Sequence, residues 1–575
     1  MIKKLAYPNI HRLLALLAVI LLGFSLLSAC TGDSSPTTSQ TTAAVTSTAA
    51  TTPASSGTAS SDDAVQVVAS KTPTVEYKSD DLDVRWSSDT AAAIILNGSS
   101  ISFNGSGATV KGSKITITAA GTYVVSGNLT DGQIIVDATD KDLVRLVLNG
   151  VSLTCSSSAP IHVLNAKKVV IILADGTANK ITDGESYILT DTEAEEPNAA
   201  IFSKSDLTFT GSGSLTVDAN YNHAIFSKDD LKIISGTITV TAVTDGLKGR
   251  NYVAIKDGVI KITAGSDGIQ ANNSEDAAKG FVIIDGGTIA IEAGKDGIQA
   301  ETNLLINNGS ISLTASDDGL HANTTITING GSLDILKSYE GLESAMITVN
   351  NGMISLNASD DGFNVAGGND GSAMGGRPGQ NDFTATGNYF LNINGGTIVM
   401  DAGGDGLDSN GSITMTGGTV LVCGPTSNNN GAVDYNGTFK LTGGLLVAAG
   451  SSGMAEAPDS TSTQYSILVG FDSAIPANTL VHVATESGAE ILTFMPTKAY
   501  QSIVFSSPDL ANGTTYQVYT GGSSSGKATN GLYSGGTCTG GTLMASLTIA
   551  GITTTAGSVG GMNPGGGGTR PGGHG

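Results

Sequence analysis

The chain has 575 residues, with 77 glycines, 14 prolines and a single tryptophan, and its 28 basic and 51 acidic side chains leave a net charge of −23. That balance excludes a nucleic-acid partner held by phosphate contacts, and four cysteines are too few for a disulfide scaffold. Strand- and turn-forming residues dominate, and the length calls for several domains or for one repeated unit whose core grows along an axis.

Lys3, Lys4 and Arg12 precede an apolar run from Leu13 to Leu27, which closes on Leu27-Ser28-Ala29-Cys30. A positive start, an apolar middle and small residues predict a secretory signal peptide over residues 1–29. The run is shorter than the ~20 residues that a membrane span needs. The tetrapeptide LSAC resembles the lipobox of bacterial lipoproteins. That resemblance implies a diacylglycerol on Cys30, which becomes the mature N-terminus of an exported, membrane-anchored protein at the bacterial cell surface. Residues 30–75, rich in Ser and Thr and poor in large apolar side chains, read as a disordered tether.

A β-rich segment with the first coils follows over 76–195, and from 196 to 455 one unit repeats. Counting nine residues on from an anchor glycine reaches Asp245 from Gly236, Asp267 from Gly258, Asp296 from Gly287, Asp318 from Gly309, Glu340 from Gly331, Asp361 from Gly352 and Asp405 from Gly396. Most anchors lie 21 to 23 residues apart, and the insertions at 272–280 and 367–388 fall at one point of the unit. Apolar residues alternate within a unit, as in Ile311, Leu313, Ala315, Leu320, Ala322, Ile326 and Ile328, which is strand periodicity. The fold class expected is all-β: a right-handed parallel β-helix of about 22 residues per coil, with a β-rich N-terminal cap and a C-terminal β module over 456–550. A Gly-rich tail occupies 551–575.

Stacking the coils turns the repeat into columns whose members are ~4.8 Å apart. One reads Asp245, Asp267, Asp296, Asp318, Glu340, Asp361, Asp405. Three residues on, a second reads Lys248, Gln270, Gln299, His321, Glu343, Asn364, Asp408 and then Asp434. A single Asp-Gly is a turn in which Asp bonds its own backbone and Gly takes a positive φ. Seven stacked carboxylates are different, because like charges so close repel unless cations or protons intervene. Oxygen clusters of this kind suit Ca²⁺, and the densest is Asp317, Asp318, Glu340, Glu343, Asp360, Asp361, Asp405 and Asp408. Zn²⁺ is disfavoured in these columns because no cysteine joins His321.

The segments DDLDVRW, ILNGSSISFNGSGATVKGSKITITAAGTYVVSGNLTDGQIIV and LVLNGVSL, the DG-punctuated coils, and TKAYQSIVFSSPDLANGTTYQVYTGGS together resemble the bacterial carbohydrate-binding β-helix proteins related in fold to polysaccharide lyases. The similarity covers roughly residues 80–550. It implies a calcium-carrying surface protein that binds plant cell-wall polysaccharide, cellulosic or polygalacturonate, without established catalysis.

Two other functions stay open at this point, a calcium-dependent pectate-type lyase and a structural surface adhesin. A lyase needs a base beside the metal. Alternation turns Lys337 inward and Arg377 lies in the Gly-rich insertion, so only Lys248 and Arg250 are weak candidates. Tyr221, Phe226, Tyr252 and Tyr339, with His321, are the candidates for sugar contact. His162, His223 and His321 stand isolated in the sequence, and the pairing of Cys155, Cys423 and Cys538 is open. Late coils turn apolar at outward positions, at Leu421 and Val447, which predicts that the C-terminal module folds back over them.

Overall fold

The structure, a computed structural model, describes residues 72–138, 143–189, 195–366 and 388–560. The signal segment, Cys30, most of the tether, Arg377 with the Gly-rich insertion, and the end of the tail lie outside the described residues. Among the described residues the only helix is Ser79–Leu82, and all other regular structure is strand.

Each repeat contributes three short strands, and each pairs in parallel with its equivalent one repeat later. The first ladder holds strands such as Leu247–Gly249, Ile269–Ala271, Ile298–Ala300 and Leu320–Ala322. The second holds Tyr252–Ile255, Phe281–Ile284 and Asn303–Ile306, and the third Val259–Ala264, Thr288–Ala293 and Ser310–Thr314. At the N-terminal end, Leu143–Cys155 is long enough to pair with Lys168–Leu173 through its first half and with Ala178–Asp183 through its second. That shared strand fuses the second and third ladders into one 29-stranded sheet, while the first ladder is a separate 14-stranded sheet. Among the described residues no closed barrel results.

The alternation read from the sequence is the inward set. Ile298, Leu304, Ile306, Ile311 and Leu313 of one repeat are buried in a single continuous core. The turns between second and third ladders are tied by an amide ladder: Asn329 Nδ2 donates to Asn307 Oδ1 (2.8 Å), Asn350 to Asn329 (2.7 Å) and Asn394 to Asn350 (2.8 Å).

The two kinds of glycine have different jobs from those expected. Left-handed backbone falls at the anchors, with φ of 116° at Gly309 and 84° at Gly331. The glycine after each acid is absent from the positive-φ set and is required by close approach instead. A Cβ on Gly319 would lie 2.6 Å from the Gly341 carbonyl oxygen and 2.6 Å from Ile335 Cδ1. Gly319→Ala should therefore cost about 1–3 kcal/mol through overpacking. Gly551→Ala, whose nearest neighbour is 3.8 Å away, should stay within about 0.5 kcal/mol. Equal urea midpoints for the two variants would contradict this.

Antiparallel strands flank the ladders at the N-terminal end and the third ladder at the C-terminal end. Antiparallel hairpins Ala92–Gly98 with Ile101–Asn104, and Ala108–Lys111 with Lys114–Ile117, sit at the N-terminal edge. At the other edge Leu445–Gly450 pairs antiparallel with Tyr500–Ser506, which removes an open strand edge that could pair with another chain. Leu421 and Val447 are buried against Ile467, Val469, Ile503 and Phe505, so residues of the C-terminal module do cover the apolar stripe.

Two features were not foreseen. Residues 75–83 cross the outer face of the second ladder, where the fully buried Asp81 takes Lys168 Nζ at 2.7 Å and Lys232 Nζ at 3.2 Å and Val75 packs on Phe281, Ile283 and Leu305. And Lys337 is exposed, contrary to the alternation, because irregularities after Leu313 and Ile335 shift the register of Ser332–Ser338 and turn Leu336 and Lys337 outward together.

Candidate functional site

The turn from the third ladder back to the first carries the acids, and its backbone is what stacks them. Gly297 N–H donates to the Asp318 carbonyl (2.9 Å), Gly319 to Glu340 (3.0 Å), Gly341 to Asp361 (2.9 Å) and Gly362 to Asp405 (2.8 Å). The side chains do not bond their own turns, as Asp in an isolated turn would. At Asp245, Asp267, Asp296 and Asp361 one oxygen accepts the N–H of the next acid along, as when Asp318 N donates to Asp296 Oδ1 (3.1 Å) and Asp405 N to Asp361 Oδ1 (2.6 Å). The second column follows the predicted register residue by residue, Gln299 beside His321, His321 beside Glu343, Glu343 beside Asn364, Asn364 beside Asp408 and Asp408 beside Asp434.

The second carboxylate oxygen faces that column, and the chemistry there changes along the row. At the early end Asp245 Oδ2 meets Lys248 Nζ at 2.8 Å and His223 Nδ1 at 3.1 Å. Burial alone would raise the Asp245 pKa, but the His223 hydrogen bond and the Lys248 charge outweigh it and hold the group well below the carboxylate range. The basic candidates are thus committed: Lys248 to Asp245, and Arg250 to Glu275 at 2.6 Å. His223 is not isolated.

In the middle, burial and then the Asp245 charge push Asp267 up to about 6, and burial with the Asp267 charge pushes Asp296 to about 7. His321 is not isolated either. Its Nδ1 lies 2.9 Å from Asp318 Oδ2 and 2.8 Å from Glu343 Oε2, and its Nε2 is 3.0 Å from Asn323 Oδ1. Burial opposes its charge, yet the two carboxylates raise it to about 12, so an imidazolium is built into this stretch. Oxygen atoms of Asp318, Glu340 and Glu343 lie within 4.8 Å of one another.

At the far end Asp361, Asp405 and Asp408 offer oxygens within 4.8 Å of one another. Burial, followed by the charges of Asp408, Asp405 and Glu340, puts Asp361 well above its ordinary value. Asp405 rises to about 7, chiefly by burial, with Asp434, Asp360 and Glu456 adding to it against the Gly431 N–H. Gly404 leaves the necessary space, since a Cβ there would stand 2.3 Å from both Asp360 Oδ1 and Asp361 Oδ1. Glu456, also raised to about 7 by burial and Asp434, carries a buried Oε2 with no hydrogen-bond partner among the described residues. The sequence reading missed it because it lies beyond the last regular repeat. An all-oxygen donor set with a buried orphan oxygen fits a hard divalent cation.

Of the aromatic candidates, Tyr339 lies in the acidic row, its N–H donating to Asp317 O at 2.7 Å. Tyr221 stacks on Tyr187 with ring centroids 4.1 Å apart. Tyr252 belongs to the second ladder, stacked on Phe281 at 4.9 Å in the cluster that Val75 joins, and Phe226 is buried, so neither of these two offers a free ring face. Asp206, Asp229 and Asp230 form a separate acidic group. The described cysteines are free thiols, with Cys155 and Cys423 buried.

This is a β-rich protein whose repeats present a row of buried carboxylates, and its similarities agree with a carbohydrate-binding class. Residues 111–362 match the family described as carbohydrate-binding domain-containing protein. A protein of Acetivibrio thermocellus bearing the same description is 43% identical over 155 residues, 27% of this chain and 54% of that protein. The chain thus spans about half the length of the curated relative it matches. A solved structure, the gadolinium derivative of a polysaccharide lyase-like protein from C. thermocellum, is 40% identical and covers 43% of this chain and 94% of its own, with a TM-score of 0.38.

Proposed function

We propose that the repeats form a right-handed parallel β-helix and that the protein binds acidic polysaccharide through calcium held in the carboxylate row, without cleaving it. The single observation carrying this reading is the far-end cluster, where Asp361, Asp405 and Asp408 converge beside Gly404 and the Glu456 charge reaches Asp405. Calcium takes ~6–8 oxygens, so an ion held by three or four protein carboxylates keeps positions for the carboxylates of a uronate polymer. Cellulose, which has no carboxylate, would draw on aromatic platforms, and these are few here. The matched family description supports a carbohydrate ligand, and the LSAC sequence at Cys30 supports a lipid anchor holding the protein at the bacterial surface. The ion pairs that occupy Lys248 and Arg250 support binding over lyase chemistry.

The test is retention on polygalacturonate with calcium and with EDTA, while absorbance of unsaturated product is followed. Calcium-dependent retention with flat absorbance is expected. Product formation that disappears in Lys248→Ala would replace the binding reading with a lyase, and retention indifferent to EDTA would remove calcium from it.

A further inference from the structure

We propose that His482, Glu490 and Cys538 of the C-terminal module form a transition-metal site of the zinc class, separate from the carboxylate row and independent of the polysaccharide reading. The three residues are far apart in sequence and are brought together by the sheet. His482 sits in Val481–Thr485 directly opposite Thr493 of the strand Glu490–Phe494, and Cys538 enters from a short strand paired with Ser523–Ser524. One donor atom from each of the three lies within 4.8 Å of the other two.

The three converge on one hydroxyl. Thr493, which is buried, donates from Oγ1 to Glu490 Oε1 at 2.5 Å. The same oxygen lies 2.9 Å from His482 Nδ1 and 3.3 Å from Cys538 Sγ. An imidazole nitrogen, a carboxylate oxygen and a sulfur thus surround one small polar centre. This donor set differs in kind from the all-oxygen row. Thiolate and imidazole select zinc-like ions over calcium, and three protein ligands leave the fourth position of a tetrahedral ion open. Glu490 and Thr493 also line a groove together with Ser507, Asp509 and Tyr533, so one side of the cluster borders open space. On binding, the Cys538 thiol gives up its proton to solvent and sulfur bonds the ion, rotation of the Thr493 hydroxyl frees the carboxylate, and the imidazole proton moves from Nδ1 to Nε2 through solvent so that Nδ1 can ligate.

The test titrates the full chain with Co²⁺ in the presence of excess Ca²⁺, reading the sulfur-to-cobalt charge-transfer absorption, and measures Zn²⁺ affinity by calorimetry. One equivalent of cobalt should produce the band, and Cys538→Ser should abolish it. Zn²⁺ affinity should fall in Cys538→Ser and in His482→Gln by more than the roughly 10–100-fold that loss of an outer partner costs. Glu490 is solvent-exposed, so Glu490→Gln should weaken zinc binding with unchanged melting, which keeps the test decisive if the other variants fold poorly. Absence of the band, its survival in Cys538→Ser, or wild-type zinc affinity in Glu490→Gln would overturn the proposal.

Discussion

Freed of calcium, the protein should melt at a higher temperature at pH 5 than at pH 8, and added calcium should raise the melting temperature at pH 8 far more than at pH 5. Asp267 is raised to about 6, and Asp296, Asp405 and Glu456 to about 7, in each case first by burial and then by neighbouring carboxylates. In the unfolded chain the same groups titrate near 4. The folded state therefore binds more protons between those limits, so their contribution is complete below about pH 4 and is lost as pH rises through 6 to 7. Asp245 has the opposite sign, since its lowered pKa contributes stability that is lost on strong acidification. The two together place the metal-free optimum in the mildly acidic range. On the calcium reading, the ion competes with protons for the same oxygens. At a hundredfold excess over Kd one site adds about 2.7 kcal/mol to stability, a shift of several degrees. Asp361→Asn and Asp405→Asn should each shrink the calcium increment at pH 8 while raising the melting temperature of the metal-free protein, because an amide removes one of the repelling charges. Scanning calorimetry at both pH values with and without EDTA decides it, and superimposable melts at pH 8 would exclude calcium from the row.

The columns were legible because the repeat keeps its phase. Once each anchor glycine leads to an acid nine residues on, parallel pairing fixes that Gln299, His321 and Glu343 are neighbours. Burial of Leu421 and Val447 was legible for a related reason, since an apolar residue at an outward position needs cover. What periodicity cannot carry is local irregularity, and Lys337 shows this: two register shifts reverse its direction although its place in the alternation is clear. Nor does spacing reveal that the glycines after the acids are selected by close approach between successive repeats, or that several of the carboxylates cap the next acid's N–H. Those facts depend on the distance between stacked turns. Glu456, the residues around Asp81 and the His482 cluster lie outside the regular repeats, where sequence offers no phase to count from.

His321→Ala should be among the most damaging single changes outside the hydrophobic core. The wild-type imidazole bridges Asp318 and Glu343 at 2.9 and 2.8 Å, and Glu340 completes an oxygen cluster within 4.8 Å. Removing one partner of a buried ionic group costs about 3–5 kcal/mol, because the remaining charges stay buried without compensation. The pH dependence distinguishes this from simple loss of packing. The folded-state pKa of His321, about 12, lies above its unfolded value near 6.5, so its contribution is complete below pH 6.5 and is lost as pH climbs toward 12. The deficit of His321→Ala should therefore be large at pH 6.5 and shrink in alkali. It should shrink on acidification too, as Asp318, held well above the ordinary carboxylate range by burial, takes up a proton and relieves the repulsion that the imidazolium had offset. His321→Asn, which keeps a polar side chain but no cation, should be nearly as unstable as the alanine variant. Calcium at pH 8 should recover part of the loss in both variants if the cluster accepts a divalent ion where the imidazolium stood. Urea unfolding across this pH range measures each of these. A deficit that stays constant from pH 5 to pH 10 would mean that His321 acts here through its shape alone.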